Sequence, residues 1–131
     1  MIGRIQLVVM VVALLLTIPP VAWAGYEEGE AANRAGDREA AFVHFQQAAE
    51  RGDVRAYGKL AAMHLYGTGT AKDPVIAYVW FALAEEHGDS LAERYRMAAS
   101  AVLTRSQLEQ AHQLIEVKRR ELEIRKLPPI K

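Results

Sequence analysis

Four histidines, His44, His64, His87 and His112, and the acid pairs Glu27-Glu28 and Glu85-Glu86 are the side chains with which this chain could ligate a metal or move a proton. Neither set has the spacing such chemistry needs. A helical zinc site would show two imidazoles one turn apart, and there is no H-E-x-x-H and no short histidine pair. Carboxylates on successive helical residues do not face each other, so neither acid pair forms a proton-transfer dyad. No G-x-S-x-G element occurs. The absence of cysteine removes thiolate catalysis, thiolate zinc sites and disulfides together. No catalytic residue, cofactor or metal is therefore expected. Trp80 and Tyr78 could be read as a ligand platform, but their helical spacing favours core packing.

The elements that position these residues start after a leader-like segment. Arg4 precedes an apolar run from Ile5 to Ile18, broken only by Gln6 and Thr17. Pro19-Pro20 ends it, and Ala22-Trp23-Ala24 has the small-x-small pattern of a signal-peptidase site. Residues 1–24 are expected to be a signal peptide cleaved after Ala24, leaving residues 25–131 as a periplasmic or secreted domain. The alternative is an uncleaved anchor, because the uncharged stretch approaches the ~20 residues of a bilayer span. Basic and acidic residues are equal in number, sixteen each. A nucleic-acid partner, which usually demands a basic excess, is not expected.

The mature part repeats itself. A shift of 36 residues superimposes Asp37 on Asp73, Ala41 on Ala77, Val43 on Val79, Phe45 on Phe81 and Ala48 on Ala84. Glu50, Gly52, Asp53 and Ala56 then meet Glu86, Gly88, Asp89 and Ala92, so nine of the twenty positions from 37 to 56 are identical. Asp37 and Asp73 suit helix N-caps, and Pro74 suits the first helical position. Ala41, Phe45 and Ala48, like Ala77, Phe81 and Ala84, mark one buried stripe at i, i+4, i+7. Gly52 and Gly88 suit the left-handed residue that closes a helix. Asp53 and Asp89 would cap the next helix at once. Six helices are expected, at about 26–35, 37–51, 53–66, 73–87, 89–102 and 105–126, with Gly67-Thr68-Gly69 as a turn. Thr104-Arg105-Ser106-Gln107 is a capping-box pattern. In the last helix Leu108, Ala111, Ile115 and Leu122 form one face, widened by Leu114, Val117 and Ile124. Its pairs Glu116–Arg120 and Glu121–Arg125 have the favourable i, i+4 order.

Residues 53–88 carry the motif A-x-x-x-L…G-x-G…D-x-x-x-A-x-x-W-F-x-x-A-x-x-x-G through Ala56, Leu60, Gly67, Gly69, Asp73, Ala77, Trp80, Phe81, Ala84 and Gly88. This resembles a Sel-1-like repeat, a relative of the tetratricopeptide repeat. Ala61, His64 and Thr70 stand where that family has glycine, tyrosine and valine. His44 takes the register slot of Trp80, so His44 and His64 read as helix-packing residues. Residues 25–52 and 89–126 look like partial units on either side. The resemblance implies an all-α fold of stacked antiparallel helix hairpins, a short α-solenoid after a signal peptide.

It also implies a non-enzymatic adaptor or scaffold of the bacterial cell envelope that binds a protein or peptide. The first helix of each pair lines the concave face of such a stack. In that register Asn33, Arg34, Arg55, Ala62, Tyr66 and Arg94 point into the groove, and the arginines could take an acid or a C-terminal carboxylate. Two other readings have distinct requirements. A membrane-anchored scaffold needs an uncleaved leader, and a periplasmic hydrolase needs a convergent polar pocket. The basic end from Lys118 to Lys126 reads as a solvated helix end, with contact to an anionic membrane as the alternative.

Overall fold

Asp37 and Asp73 do what their place in the repeat asks. In the computed structural model, which describes residues 25–128, Oδ1 of each accepts a backbone N–H three residues on, from Ala40 and Ile76, both at 3.0 Å. They open α2 (Arg38–Glu50) and α4 (Pro74–Glu86), and Pro74 spends no hydrogen bond at the first position. Before them lie α1 (Tyr26–Arg34) and α3 (Arg55–Tyr66); after them come α5 (Ala92–Ser100) and α6 (Arg105–Arg125). The signal-peptide reading concerns residues 1–24, which lie outside the described residues, as do residues 129–131.

Helix starts differ from expectation at Asp53 and Asp89. Their Oδ1 atoms accept from the N–H only two residues on, Arg55 at 3.1 Å and Leu91 at 3.0 Å. That closes a side-chain turn, so α3 and α5 begin at Arg55 and Ala92. Thr104 and Gln107 form the expected reciprocal capping box, with bonds of 3.2 and 2.9 Å. Gly52 and Gly88 follow α2 and α4 with φ of 89° and 88°. The G-x-G turn does more than reverse the chain. Gly69 has φ of 72°, and a Cβ there would lie 2.1 Å from the carbonyl oxygen of Arg38. The turn therefore lies directly on the first residue of α2 and docks one unit on its neighbour.

The stripes Ala41–Phe45–Ala48 and Ala77–Phe81–Ala84 are all buried. Between them Tyr57 and Leu60 of α3 are 2% and 1% exposed, so the α3–α4 hairpin forms the centre of the core. Gly29 of α1 lets the Phe45 ring in; a Cβ there would lie 2.7 Å from it. Trp80 is buried against Tyr57, ring centroids 5.2 Å apart. The closing helices are arranged less simply. α5 and α6 both dock on α4 and touch each other little. α6 buries Ala111, Ile115 and Leu122 but leaves Val117 and Ile124 51% and 66% exposed, so those two do not widen its packed face. Its ion pairs also regroup. Glu116 pairs with Arg119 and Glu121 with Lys118, three residues apart, because Arg119 and Lys118 are aimed inward at Glu86 and Glu50.

His64 packs as expected of a tyrosine slot, edge-on to Phe42 with centroids 5.3 Å apart. Its Nδ1 is buried without a hydrogen-bond partner. Burial pushes its pKa below the ordinary histidine value, and Asp73 opposes this only in part. The unfolded chain therefore takes up a proton before the folded one does. Stability is full above the ordinary histidine pKa and is lost as pH falls through the folded value. The melting temperature is expected to drop between about pH 7 and pH 5, and His64→Tyr should flatten that drop. An unchanged slope in the variant would rule His64 out as its source.

Candidate functional site

Between α3 and α5 the surface opens into a cavity of ≈ 360 Å³. Arg55, Lys59, Ala62 and Tyr66 wall it from α3, Phe81 floors it from α4, and Asp89, Leu91 and Tyr95 close the far side. Three residues expected in the groove, Arg55, Ala62 and Tyr66, thus meet here. Asn33, Arg34 and Arg94 do not line this cavity. Asn33 Oδ1 accepts from Arg38 at 2.9 Å and holds the α1–α2 turn, while Arg34 is exposed in the last turn of α1. Arg94 lines another depression of ≈ 480 Å³ with Ser90, Glu93 and Met97.

The groove's cations are already engaged within the chain. Arg55 donates to Asp53 at 2.7 and 3.0 Å and to Glu27 at 3.1 Å, and its guanidinium lies 4.4 Å from the Tyr26 ring centre. Hydrogen bonding to Arg55 lowers the Asp53 pKa, and the same bonds raise that of Arg55. Lys59 pairs with Glu30 at 3.0 Å. These contacts tie α1 to α3, so Arg55 is a brace between units before it is a hook for an acid.

What the groove offers outward is apolar and aromatic. Tyr66 is 64% exposed, Leu91 58% and Tyr95 37%, the last stacked on Phe81 at 5.5 Å and 16°. The small residues Gly58 and Ala62 leave the space between them. Leu91 and Tyr95 were legible: the 36-residue register carries Arg55 to Leu91 and Lys59 to Tyr95, whereas Arg94 falls opposite Gly58.

A second feature had no sequence signal. In the wedge between α4, α5 and α6, Arg96 donates to the Tyr78 hydroxyl at 3.1 Å, and that hydroxyl lies 3.1 Å from His112 Nε2. Arginine can only donate, so the Tyr78 hydroxyl accepts from Arg96. Arg96 Nε also donates to Glu85 at 2.7 Å, the bond that chiefly raises the Arg96 pKa, and Arg119 pairs with Glu86 and Glu116. The cavity there measures ≈ 560 Å³. It is a convergent polar pocket of the kind the hydrolase reading requires, lined by Tyr78, Glu85, Glu86, Arg96, His112, Glu116 and Arg119. Its geometry clamps α5 and α6 onto α4. Among the described residues no three His, Asp or Glu side chains are grouped to hold a metal. No described helix is long and apolar enough to cross a membrane.

Comparison with known proteins gives the arrangement its family. Residues 22–53 and 54–89 match the model of the Sel1 repeat. Among solved structures, the chain is similar to a protective antigen present in uropathogenic Escherichia coli strains displaying an SLR fold. The identity is 25% and the TM-score 0.68, over 82% of this chain and 25% of that one. The chain thus spans a quarter of that structure's length. No curated protein matches. The matched repeats take up more than half of the sequence, and their helix pairs are those the structure contains: the chain belongs to the Sel1 repeat family.

Proposed function

We propose that this protein is an interaction module that holds an extended segment of a partner protein in the α3–α5 groove, and that it works in the bacterial cell envelope. One observation carries the binding reading. Tyr66, Leu91 and Tyr95 converge, exposed, on a single cavity whose neighbouring cations are neutralised inside the chain. Rigid aromatic side chains of this kind are the usual anchors of protein interfaces. The complementary peptide presents an apolar anchor residue and does not depend on an acid. The family's role as a protein–protein interaction scaffold supports the reading, and the leader-like residues 1–24 support export.

Peptides selected from a displayed random library are expected to share an aliphatic or aromatic anchor. Tyr66→Ala and Tyr95→Ala should each weaken their binding by about ten-fold, with little change in melting temperature for the exposed Tyr66. Full binding by the double variant would end the groove assignment. Arg55→Ala should lower stability as well as binding, because it removes one of the two ion-pair ties between α1 and α3 among the described residues. For the address, N-terminal sequencing of the exported protein should begin at Gly25; a retained leader would favour the anchored scaffold.

A further inference from the structure

We propose that the segment held in the α3–α5 groove carries a lysine or arginine close to its apolar anchor, and that the Asp89 carboxylate receives it. The inference rests on the groove reading above and adds the partner's charge to it. The first observation is one of register. A shift of 36 residues carries Asp53 and Arg55 to Asp89 and Leu91. In the earlier unit the carboxylate is matched: Asp53 Oδ2 accepts from the Arg55 guanidinium at 2.7 Å and Oδ1 from its Nε at 3.0 Å. In the later unit the turn is the same, with Asp89 Oδ1 accepting from the Leu91 N–H at 3.0 Å, but leucine brings no cation. Among the described residues no hydrogen-bond donor or cation is bound to Asp89 Oδ2. The repeat keeps the aspartate here without its counter-ion.

The second observation is where that oxygen lies. It sits over Gly58 of α3, where a Cβ would be 2.7 Å from it, and Gly58 and Asp89 both line the groove. A side chain at position 58 would push the carboxylate aside, whereas glycine leaves it open to the cavity. The groove's own cations do not serve it. Arg55 is held by Asp53 and Glu27, and Lys59 by Glu30. Two cations, Arg55 and Lys59, thus stand against four carboxylates, Asp53, Glu27, Glu30 and Asp89, which leaves a net −2. An amine or guanidinium beside the anchor therefore gains a charge-assisted bond, and an acid there is repelled. The helix sets the spacing. Ala62 and Tyr66 lie one and two turns beyond Gly58, ~6 and ~12 Å along α3. An extended segment advances ~3.3 Å per residue, so an anchor seated at either level places the base about two to four positions away.

The test uses the full-length chain and peptides selected on it from a displayed random library, with affinity read by fluorescence anisotropy. The selected peptides are expected to carry Lys or Arg at that spacing from the anchor. Replacing the base by glutamine should weaken binding about five-fold at low salt, and about 0.5 M salt should remove most of the difference. This comparison tests the charge without altering the protein. Asp89→Asn keeps an oxygen to accept from the Leu91 N–H, so the turn is retained. It should weaken the basic peptide by the same factor and leave the glutamine peptide unchanged, with a circular dichroism melt to check that the variant remains folded. Peptides that depend on Tyr66 and Tyr95 but share no base would overturn the proposal and leave the groove reading intact. So would a base whose contribution is indifferent to Asp89→Asn. Peptides indifferent to both tyrosines would overturn the proposal and the groove reading together.

Discussion

Gly69→Ala is expected to cost about 2–5 kcal/mol in urea unfolding. Part of that is the left-handed backbone, at φ 72°. The larger part is contact: the added methyl would lie 2.1 Å from the Arg38 carbonyl oxygen, 2.6 Å from its carbon and 3.1 Å from Met63 Cε. The methionine can move aside, but the carbonyl is backbone at the start of α2 and cannot move without shifting that helix. Relative to a typical domain stability of ~5–15 kcal/mol, the loss is large. Gly36→Ala is the control. Its φ is 82°, yet nothing lies within 4 Å of the added carbon, so it should show the conformational cost alone. Equal losses in the two variants would mean that the loop does not bear on α2.

Trp80→Ala should be of similar severity, about 3–5 kcal/mol. The indole is 3% exposed, lies 5.2 Å from the Tyr57 ring and has the Lys118 ammonium 5.6 Å above it. Its removal would open a cavity shared by α3, α4 and α6. Trp80→Phe, which keeps much of the volume, should lose less than Trp80→Ala in the same measurement. A ligand platform would behave in the opposite way, tolerating the change in stability while losing a binding partner. The buried position places Trp80 with the core, and peptide affinity measured on folded Trp80→Phe should stay near that of the parent chain.

Why some of this could be read from residues alone follows from range. N-caps, the capping box at Thr104–Gln107 and the stripes through Phe45 and Phe81 depend on neighbours within a turn or two. The type and spacing of those residues are the whole of their cause. The same locality explains the small error at Asp53 and Asp89: a carboxylate can serve an N–H two or three residues on, and both choices look alike in sequence. The Tyr78–His112–Arg96 cluster joins residues up to 34 positions apart on three helices, and no period announces it. Arg55 shows the same limit within the groove. Its position was legible, whereas its commitment to Asp53, Glu27 and Tyr26 depends on how α1 lies against α3. Leu91 and Tyr95 are carried by the repeat register, but apolar residues at i and i+4 ordinarily signify a core.

The bond from Lys118 to Glu50, 3.2 Å long across 68 residues of sequence, bears on how the molecule comes apart. Arrays of this kind ordinarily fray from their ends, each repeat holding only its nearest neighbours. Here the last helix docks on α4 and its Lys118 also reaches Glu50 at the end of α2, so the final unit is tied to the first as well as to its neighbour. Slowly exchanging amides should therefore spread across α2, α3 and α4 as one cooperative block, with no staircase of protection from one end to the other.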